Sequence, residues 1–168
     1  QQAIEAIVAA REGRGGGEFG GQAGPFTSLC DFCVRVDKQR VNKRTVEALI
    51  KAGAFDAIEL NRAALLASLE QAFDFAAARV ANANQGGLFD MMDEGPGASH
   101  EEPALADVVP WGVKERLTFE KTAIGFYLSG HLFDEVEREV RRFARTPLAD
   151  LVDSREQQLL AGIVNDLR

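Results

Sequence analysis

Apolar residues recur at helical spacing in four stretches of the N-terminal half of the chain. Within each stretch the intervals are mostly three and four positions, which places the apolar side chains on one face of an α-helix. The four stripes are Ile4, Ile7 and Val8; Leu29, Phe32, Cys33 and Val36; Val46, Leu49 and Ile50; and Leu65, Leu66, Leu69 and Phe73. This pattern predicts four amphipathic helices joined by short or glycine-rich turns, which together form a compact all-α unit.

Polar residues at the starts of these stripes indicate where the helices begin. Thr27 and Ser28 are candidate N-caps of the second helix. Asn42 and Asn61 precede the third and fourth stripes, and apolar residues flank each of them at the positions of a hydrophobic staple. Gly53 is well placed to end the third helix in a left-handed conformation.

The helical period ends near Asn82. The following segment, 83–108, is polar and contains Gly and Pro, which predicts a flexible linker. From Asp90 to Asp107 it carries six acidic residues and neither Lys nor Arg. Four apolar side chains interrupt this polar stretch: Leu88, Phe89, Met91 and Met92. An exposed apolar cluster in a mobile segment indicates a site that a partner covers, although these side chains could instead fold back onto the chain's own helices.

Helical spacing returns in the segment 109–150. It predicts one helix from Val113 to about Ile124 and a second from Asp134 to Phe143, with a break between them. In the last segment, 151–168, the apolar run Leu159 to Val164 is typical of a β-strand. Apolar stretches of the roughly 20 residues needed to cross a bilayer do not occur, so we expect no membrane partner.

Charge is distributed unevenly along the chain of 168 residues. The net charge of −7 by itself disfavours a general nucleic-acid binder. The segment from Arg35 to Lys51, however, contains six basic residues and only two acidic ones. The chain therefore contains a basic segment and an acidic segment with opposite electrostatic preferences.

Candidate catalytic and metal-binding groups are sparse. Cys30 and Cys33 cannot complete a four-ligand zinc site, because His100 and His131 are distant in sequence. We interpret the two cysteines as core residues and His131 as a capping or packing residue. No catalytic residue, metal ligand or cofactor is predicted for this chain. Two cysteines without a signal peptide suit a reducing, cytoplasmic location.

Several segments resemble, in the same order along the chain, the alpha-subunit family of bacterial DNA polymerase III. The resemblance covers essentially the whole chain. Its segments are Pro25 to Asp37, Arg40 to Arg44, Glu47 to Asp56, Asn61 to Leu65, Gln85 to Phe89, Glu120 to His131 and Leu160 to Val164.

The resemblance implies a mainly α architecture in four parts. Residues 1–82 would form a tandem helix-hairpin-helix module, and 83–108 a linker with a clamp-binding motif. Residues 109–150 would form a helical connector, and 151–168 the first strand of an OB-fold. Because the chain opens at Gln1 inside a helical pattern, we expect an internal fragment of a replicative DNA polymerase. The catalytic centre and its Mg²⁺ would then lie elsewhere in the protein, as would the contacts with other replicase subunits.

Two partners follow from the resemblance. Helix-hairpin-helix units hold duplex DNA by its phosphates without reading sequence. The candidate DNA-binding residues are Lys38, Arg40, Asn42, Lys43 and Arg44. Here Arg40-Val-Asn42 stands where the family pattern has Gly-x-Gly, which weakens the case for close backbone approach to the template-primer duplex.

The second partner is the beta sliding clamp. Gln85, Leu88 and Phe89 match the Gln-x-x-Leu-Phe pentapeptide that binds it. Two other functions remain open at this stage: a helix-hairpin-helix module of a DNA-repair enzyme, and a helical interaction domain whose basic stretch is only a solvated surface.

Overall fold

The computed structural model describes residues 2–14, 22–85 and 101–164. The chain divides into two compact units, Gln1–Trp111 and Gly112–Arg168, which we call unit 1 and unit 2. Among the described residues there is no β-strand, only an isolated bridge between Glu12 and Ala23. None of the helices in these ranges is long and apolar enough to span a membrane.

Unit 1 is built from helices on all four predicted stripes. Its elements are α1 (Gln2–Arg11), α2 (Leu29–Arg35), α3 (Lys43–Lys51), α4 (Arg62–Ala67) and α5 (Leu69–Gln85). The fourth predicted helix is divided at Ser68 into α4 and α5, where φ of −88° and ψ of 0° depart from ideal helical values. Helix α5 also continues three residues beyond Asn82, where we expected the helical period to end.

The N-terminal caps form as the sequence predicts. The side chains of Ser28, Asn42 and Asn61 each accept a hydrogen bond from the backbone N–H three residues later. These bonds satisfy N–H groups that have no carbonyl partner inside the helix. After α3, Gly53 adopts a left-handed φ of +82° and ends the helix.

The core of unit 1 lies among all five helices, with α2 packed against α5. Leu29, Ile50 and Leu65 are at most 2% exposed. Each such side chain contributes about 1.5 to 3 kcal/mol through removal from water. Phe32 stands edge-to-face against Phe55, with ring centroids 5.0 Å apart. The predicted stripes therefore form one continuous apolar core.

Residues 101–109 run along the surface of unit 1. The backbone N–H of Ala106 donates to the buried Ser68 hydroxyl, and the Asn61 amide donates to the Val108 carbonyl. This differs from the free linker expected up to residue 108. The greater part of that predicted linker, 86–100, lies outside the described residues.

Unit 2 begins with helix α6 (Val113–Ile124), whose bounds match the prediction. The prediction of one helix from Asp134 to Phe143 is wrong. The structure has a 3-10 turn, Leu132–Glu135, followed by the four-residue helix α7 (Glu137–Val140). Val136 and Phe143 are 42% and 76% exposed, so these two residues of the expected apolar face are not packed into a core. A second 3-10 turn spans Leu148–Asp150.

Residues 151–164 have no regular secondary structure, so the strand expected at Leu159 to Val164 is not observed. A strand requires a neighbouring strand to receive its backbone hydrogen bonds, and the described part of the chain contains none.

Hydrogen bonds from polar side chains stabilise the segment that connects α6 to the first 3-10 turn. The Glu120 carboxylate, fully buried, accepts the N–H groups of Leu128 and Ser129 at 2.8 and 2.9 Å. His131 Nδ1 accepts the N–H of Phe133, while the Asp134 carboxylate accepts the N–H of His131. The interpretation of His131 as a capping residue is confirmed.

Candidate nucleic-acid interface

The turn between α2 and α3 is organised by Asp37. Its carbonyl oxygen accepts the N–H groups of Arg40 and Val41, at 3.2 and 2.9 Å. Its carboxylate accepts the N–H of Gln39 at 2.9 Å and lies 3.5 Å from the Arg40 guanidinium. Two of the three N–H groups at the positions of a Gly-x-Gly hairpin, those of Arg40 and Val41, are therefore already used within the turn.

The N-terminus of α3 offers a better site for an anion. Asn42 Oδ1 accepts both the N–H and the hydroxyl of Thr45, at 2.9 and 3.0 Å. The N–H groups of Lys43 and Arg44 open the helix and have no intrahelical acceptor. The helix dipole adds partial positive charge at the same place, which favours a bound anion.

Two basic side chains, those of Lys43 and Arg44, lie at this helix start. Lys43 forms an ion pair with Glu70 at 3.1 Å, with the two side chains 51% and 79% exposed. Arg44 is exposed to solvent. Exposed ion pairs contribute only about 0 to 1 kcal/mol. A phosphate can therefore replace Glu70 beside Lys43 at little cost.

Lys38 and Arg40 differ in availability. Arg40 is 56% exposed and interacts with Asp37. Lys38 is half-buried, and burial lowers the pKa of its ammonium group. The five predicted residues thus all lie on one turn and the first turn of α3, but Asn42 acts as a cap and Arg40 already has an acidic neighbour.

Arg35, counted in the basic segment from sequence, points into the protein. It is 2% exposed, so it cannot contribute charge to a DNA surface. Its guanidinium donates to the Asp31 carboxylate and to the carbonyl oxygens of Ala10, Gln22, Gly24 and Pro25. The spacing of Asp31 and Arg35, one helical turn apart, was a signal in the sequence for an ion pair along α2, but it does not indicate burial.

Lys51 and Arg62 are also engaged within unit 1. Lys51 Nζ lies 2.5 Å from Glu47, and this contact lowers the pKa of the Glu47 carboxyl. Arg62 is buried and donates to both carboxylate oxygens of Asp56 and to the Lys51 carbonyl. Within the basic segment from Arg35 to Lys51, positive charge available to a ligand is therefore concentrated in the turn before α3 and at the start of α3.

The candidate clamp-binding residues lie around the end of the described range 22–85. Gln85 is the last residue of α5. Leu88 and Phe89 lie outside the described residues, as do Met91 and Met92.

The two cysteines are buried free thiols in the core of unit 1. Burial, as the main cause, raises the pKa of Cys30 to about 11 and that of Cys33 to about 12. Their interpretation as core residues is confirmed. Within the described ranges, no group of three His, Cys, Asp or Glu side chains is arranged to hold a metal ion.

Comparison with known proteins identifies first a class of domain. The family model of the helix-hairpin-helix motif matches residues 1–65. This match covers α1 to α3 and the start of α4, which include the turn organised by Asp37 and the N-terminus of α3.

Comparison with curated proteins is more specific. Over all 168 residues, the chain is 48% identical to the DNA polymerase III subunit alpha of Neisseria meningitidis serogroup B. The corresponding subunit of Pseudomonas aeruginosa is 42% identical over 88% of the chain, and that of Treponema pallidum is 34% identical over 84%. The chain spans 14% of the length of the Neisseria and Pseudomonas proteins and 12% of the Treponema protein. It is thus homologous along its whole length to one segment of DNA polymerase III alpha subunits, which confirms the resemblance found in the sequence.

Proposed function

We propose that this chain is the segment of a replicative DNA polymerase that holds the template-primer duplex and attaches the enzyme to its sliding clamp. The observation that carries this proposal is the 48% identity along the whole chain to a DNA polymerase III alpha subunit. DNA-directed DNA synthesis would then belong to the whole protein. Its Mg²⁺ and catalytic carboxylates would lie outside this segment, as would contacts with other replicase subunits. Residues 151–168 would enter an OB-fold whose other strands follow.

The duplex-holding role is supported by the start of α3. There the N–H groups of Lys43 and Arg44, the helix dipole and two exposed basic side chains can converge on one phosphate. Lys38 and Arg40 would contact neighbouring phosphates from the preceding turn. Asn42 would act mainly by capping the helix, because its amide oxygen is bonded to Thr45. Contacts of this kind bind DNA without reading its sequence.

The first test replaces Lys43 and Arg44 together with glutamate. We expect the affinity for duplex DNA to fall about tenfold or more, since charge-assisted hydrogen bonds contribute about 1.5 to 3 kcal/mol each. The measurement is fluorescence anisotropy over a salt series, in which each neutralised phosphate adds about −0.9 to the slope of log affinity against log salt.

The matched control replaces Arg138 and Arg142 of unit 2, both exposed, with glutamate and changes the net charge equally. An equal loss of affinity in this control would mean that overall charge, not the start of α3, determines binding.

The clamp-binding role is supported by Gln85, Leu88 and Phe89. In such a motif a buried amide fixes the position of the peptide, and each apolar side chain that enters a pocket contributes about 1.5 to 3 kcal/mol. Micromolar binding, near −8 kcal/mol, is consistent with these contributions. Weak binding is sufficient, because a clamp that encircles DNA stays close to the polymerase and rebinds at high effective concentration.

The second test titrates the chain with purified sliding clamp and compares it with a Leu88→Ala, Phe89→Ala double variant. We expect roughly micromolar affinity for the parent, from the burial of both side chains, and no measurable binding for the variant. The control variant Met91→Ala, Met92→Ala removes neighbouring apolar side chains and should bind normally. Equal binding of parent and Leu88/Phe89 variant, or no binding by the parent, would contradict clamp attachment.

A further inference from the structure

The short helix α7 and the turn that follows it form one helical run with two different sides. The N–H of Arg141 donates to the Glu137 carbonyl and that of Ala144 to the Val140 carbonyl, both at 2.9 Å, so helical turns continue beyond the end of α7. These four residues, at intervals of three, one and three positions, all line the same cleft within unit 2. Such spacing belongs to one face of a helix, so the residues between them lie on the opposite side.

The opposite side carries arginines around one phenylalanine, and we call it the arginine face. Its members are Arg138, Arg142, Phe143 and Arg145, all of them exposed. Phe143, at 76%, is the most exposed of the Phe, Tyr and Trp side chains that the structure describes. Its N–H and that of the buried Ala144 both donate to the Val140 carbonyl, which fixes the turn that displays the ring.

Positive charge in unit 2 is concentrated on this face. From Arg138 to Arg145 the chain has four arginines and one acidic residue, Glu139, which gives a local balance of +3. The rest of the range 112–164 has four Lys or Arg and eight Asp or Glu residues. Arg141 pairs with Glu137 at 3.0 Å on the cleft side. The three arginines of the arginine face form no ion pair with any residue that the structure describes, so their charges are available to an anionic ligand.

Single-stranded DNA matches both components of the arginine face. Guanidinium groups bind phosphates through paired N–H donors, and an exposed aromatic ring stacks on the face of a base. In a duplex each base face is covered by the neighbouring base pair, so Phe143 would have no stacking partner there. An acidic peptide would satisfy the arginines, but it would leave the ring without a flat surface to contact.

We propose that the arginine face binds single-stranded DNA, with Phe143 stacked on a base and Arg138, Arg142 and Arg145 on the adjacent phosphates. Binding of this kind is tolerant of sequence, because every base has a face that can stack. The site differs from the start of α3, to which the proposed function assigns duplex DNA. The inference stands on the residues of unit 2 alone and does not depend on duplex binding or on clamp binding.

The first test separates stacking from charge. It measures fluorescence anisotropy of the whole chain with an oligothymidylate of about 12 nucleotides, within the usual size of single-strand sites, and with an abasic strand of equal length. We expect the parent to bind oligothymidylate about fivefold or more tightly than the abasic strand, and Phe143→Ala to lose this preference. The control is Phe126→Ala, since Phe126 is also exposed in unit 2, at 58%, but lies outside the arginine face.

Three results of this test would overturn the proposal. They are no binding of oligothymidylate by the parent, equal binding of the two strands by the parent, and an unchanged preference in Phe143→Ala. Because the Phe143 side chain is exposed, its removal should leave the circular dichroism spectrum unchanged. Tighter binding of polyglutamate than of oligothymidylate would instead identify the face as a site for an acidic protein segment and would also overturn the proposal.

The second test separates the arginine face from the start of α3. It compares Arg138→Glu, Arg142→Glu with Lys43→Glu, Arg44→Glu, two double variants that change the net charge equally. We expect the first variant to lower the affinity for oligothymidylate about tenfold or more and to reduce the salt slope by about 1.4, at about 0.7 per phosphate of a single strand. Its affinity for a blunt duplex should stay at the parent value. An equal loss of oligothymidylate affinity in both variants would overturn a separate site in unit 2.

Discussion

Unit 1 and unit 2 are stabilised in different ways. Unit 1 buries apolar side chains from five helices in one core. Among the described residues of unit 2, the buried side chains are Leu117, Glu120 and Ala144. Large apolar side chains in unit 2 are instead exposed, including Phe126 at 58% and Phe143 at 76%. Burial drives the folding of unit 1, whereas polar contacts to the backbone define the turns of unit 2.

This difference indicates different degrees of independence. A continuous core gives a cooperative transition, because removing one side chain weakens contacts with several helices. A unit with few buried apolar contacts opens locally at low free energy. Exposed apolar surface of this kind also marks contact sites. We therefore expect unit 1 to be the more stable part of the chain.

The largest expected effect comes from the core of unit 1. Leu65→Ala removes a side chain that is 1% exposed and should lower the free energy of unfolding by about 2 to 5 kcal/mol. Leu60→Ala, at a position 81% exposed, is the control and should change it by less than about 0.5 kcal/mol. Urea denaturation followed by circular dichroism measures both. Similar values for the two variants would mean that unit 1 lacks the tight core described above.

A second, somewhat smaller effect should be confined to unit 2. Glu120→Ala removes the acceptor of two backbone N–H groups, but both belong to exposed residues that water can reach, so we expect a total cost of about 1.5 to 3 kcal/mol. We expect faster hydrogen exchange at Leu128 and Ser129, with unchanged exchange in α3. Glu115→Ala, an exposed change on the same helix, is the control. Loss of protection in both units would show that they do not open separately.

The smallest effects come from a pair of glycines, one in each unit. Gly53 and Gly125 both have left-handed φ values, +82° and +91°. A Cβ at Gly125 meets nothing within 4 Å, whereas one at Gly53 would lie 2.6 Å from Arg62 Cζ and 2.9 Å from Asp56 Oδ2. Gly125→Ala should therefore cost about 1 kcal/mol from backbone strain alone, and Gly53→Ala about 2 kcal/mol. Thermal denaturation measures both, and equal costs would mean that Arg62 moves aside freely.

Local interactions made much of unit 1 predictable. The caps at Ser28, Asn42 and Asn61 depend on residues only three positions away, and they form as expected. The helix predicted from Asp134 failed because periodicity alone does not show whether the protein supplies a surface for an apolar face to pack against.

The candidate site was less predictable, because its charges have distant partners. Lys43 pairs with Glu70, which is 27 positions later, and Arg35 bonds to Ala10, 25 positions earlier. Neither pairing has a signature in local spacing. The sequence could therefore locate the basic segment but could not separate its buried cations from its exposed ones.

Arg35 also has a consequence for protein engineering. Its guanidinium holds carbonyl groups from both sides of residues 15–21, at Ala10 on one side and at Gln22 and Gly24 on the other. Because these two flanks are fixed to each other by a buried side chain, the number of residues between them has little influence on the helices. Doubling the length of a loop costs only about 0.6 kcal/mol of closure entropy. Inserting residues between Arg14 and Gln22 should therefore change the free energy of unfolding of unit 1 by less than about 1 kcal/mol.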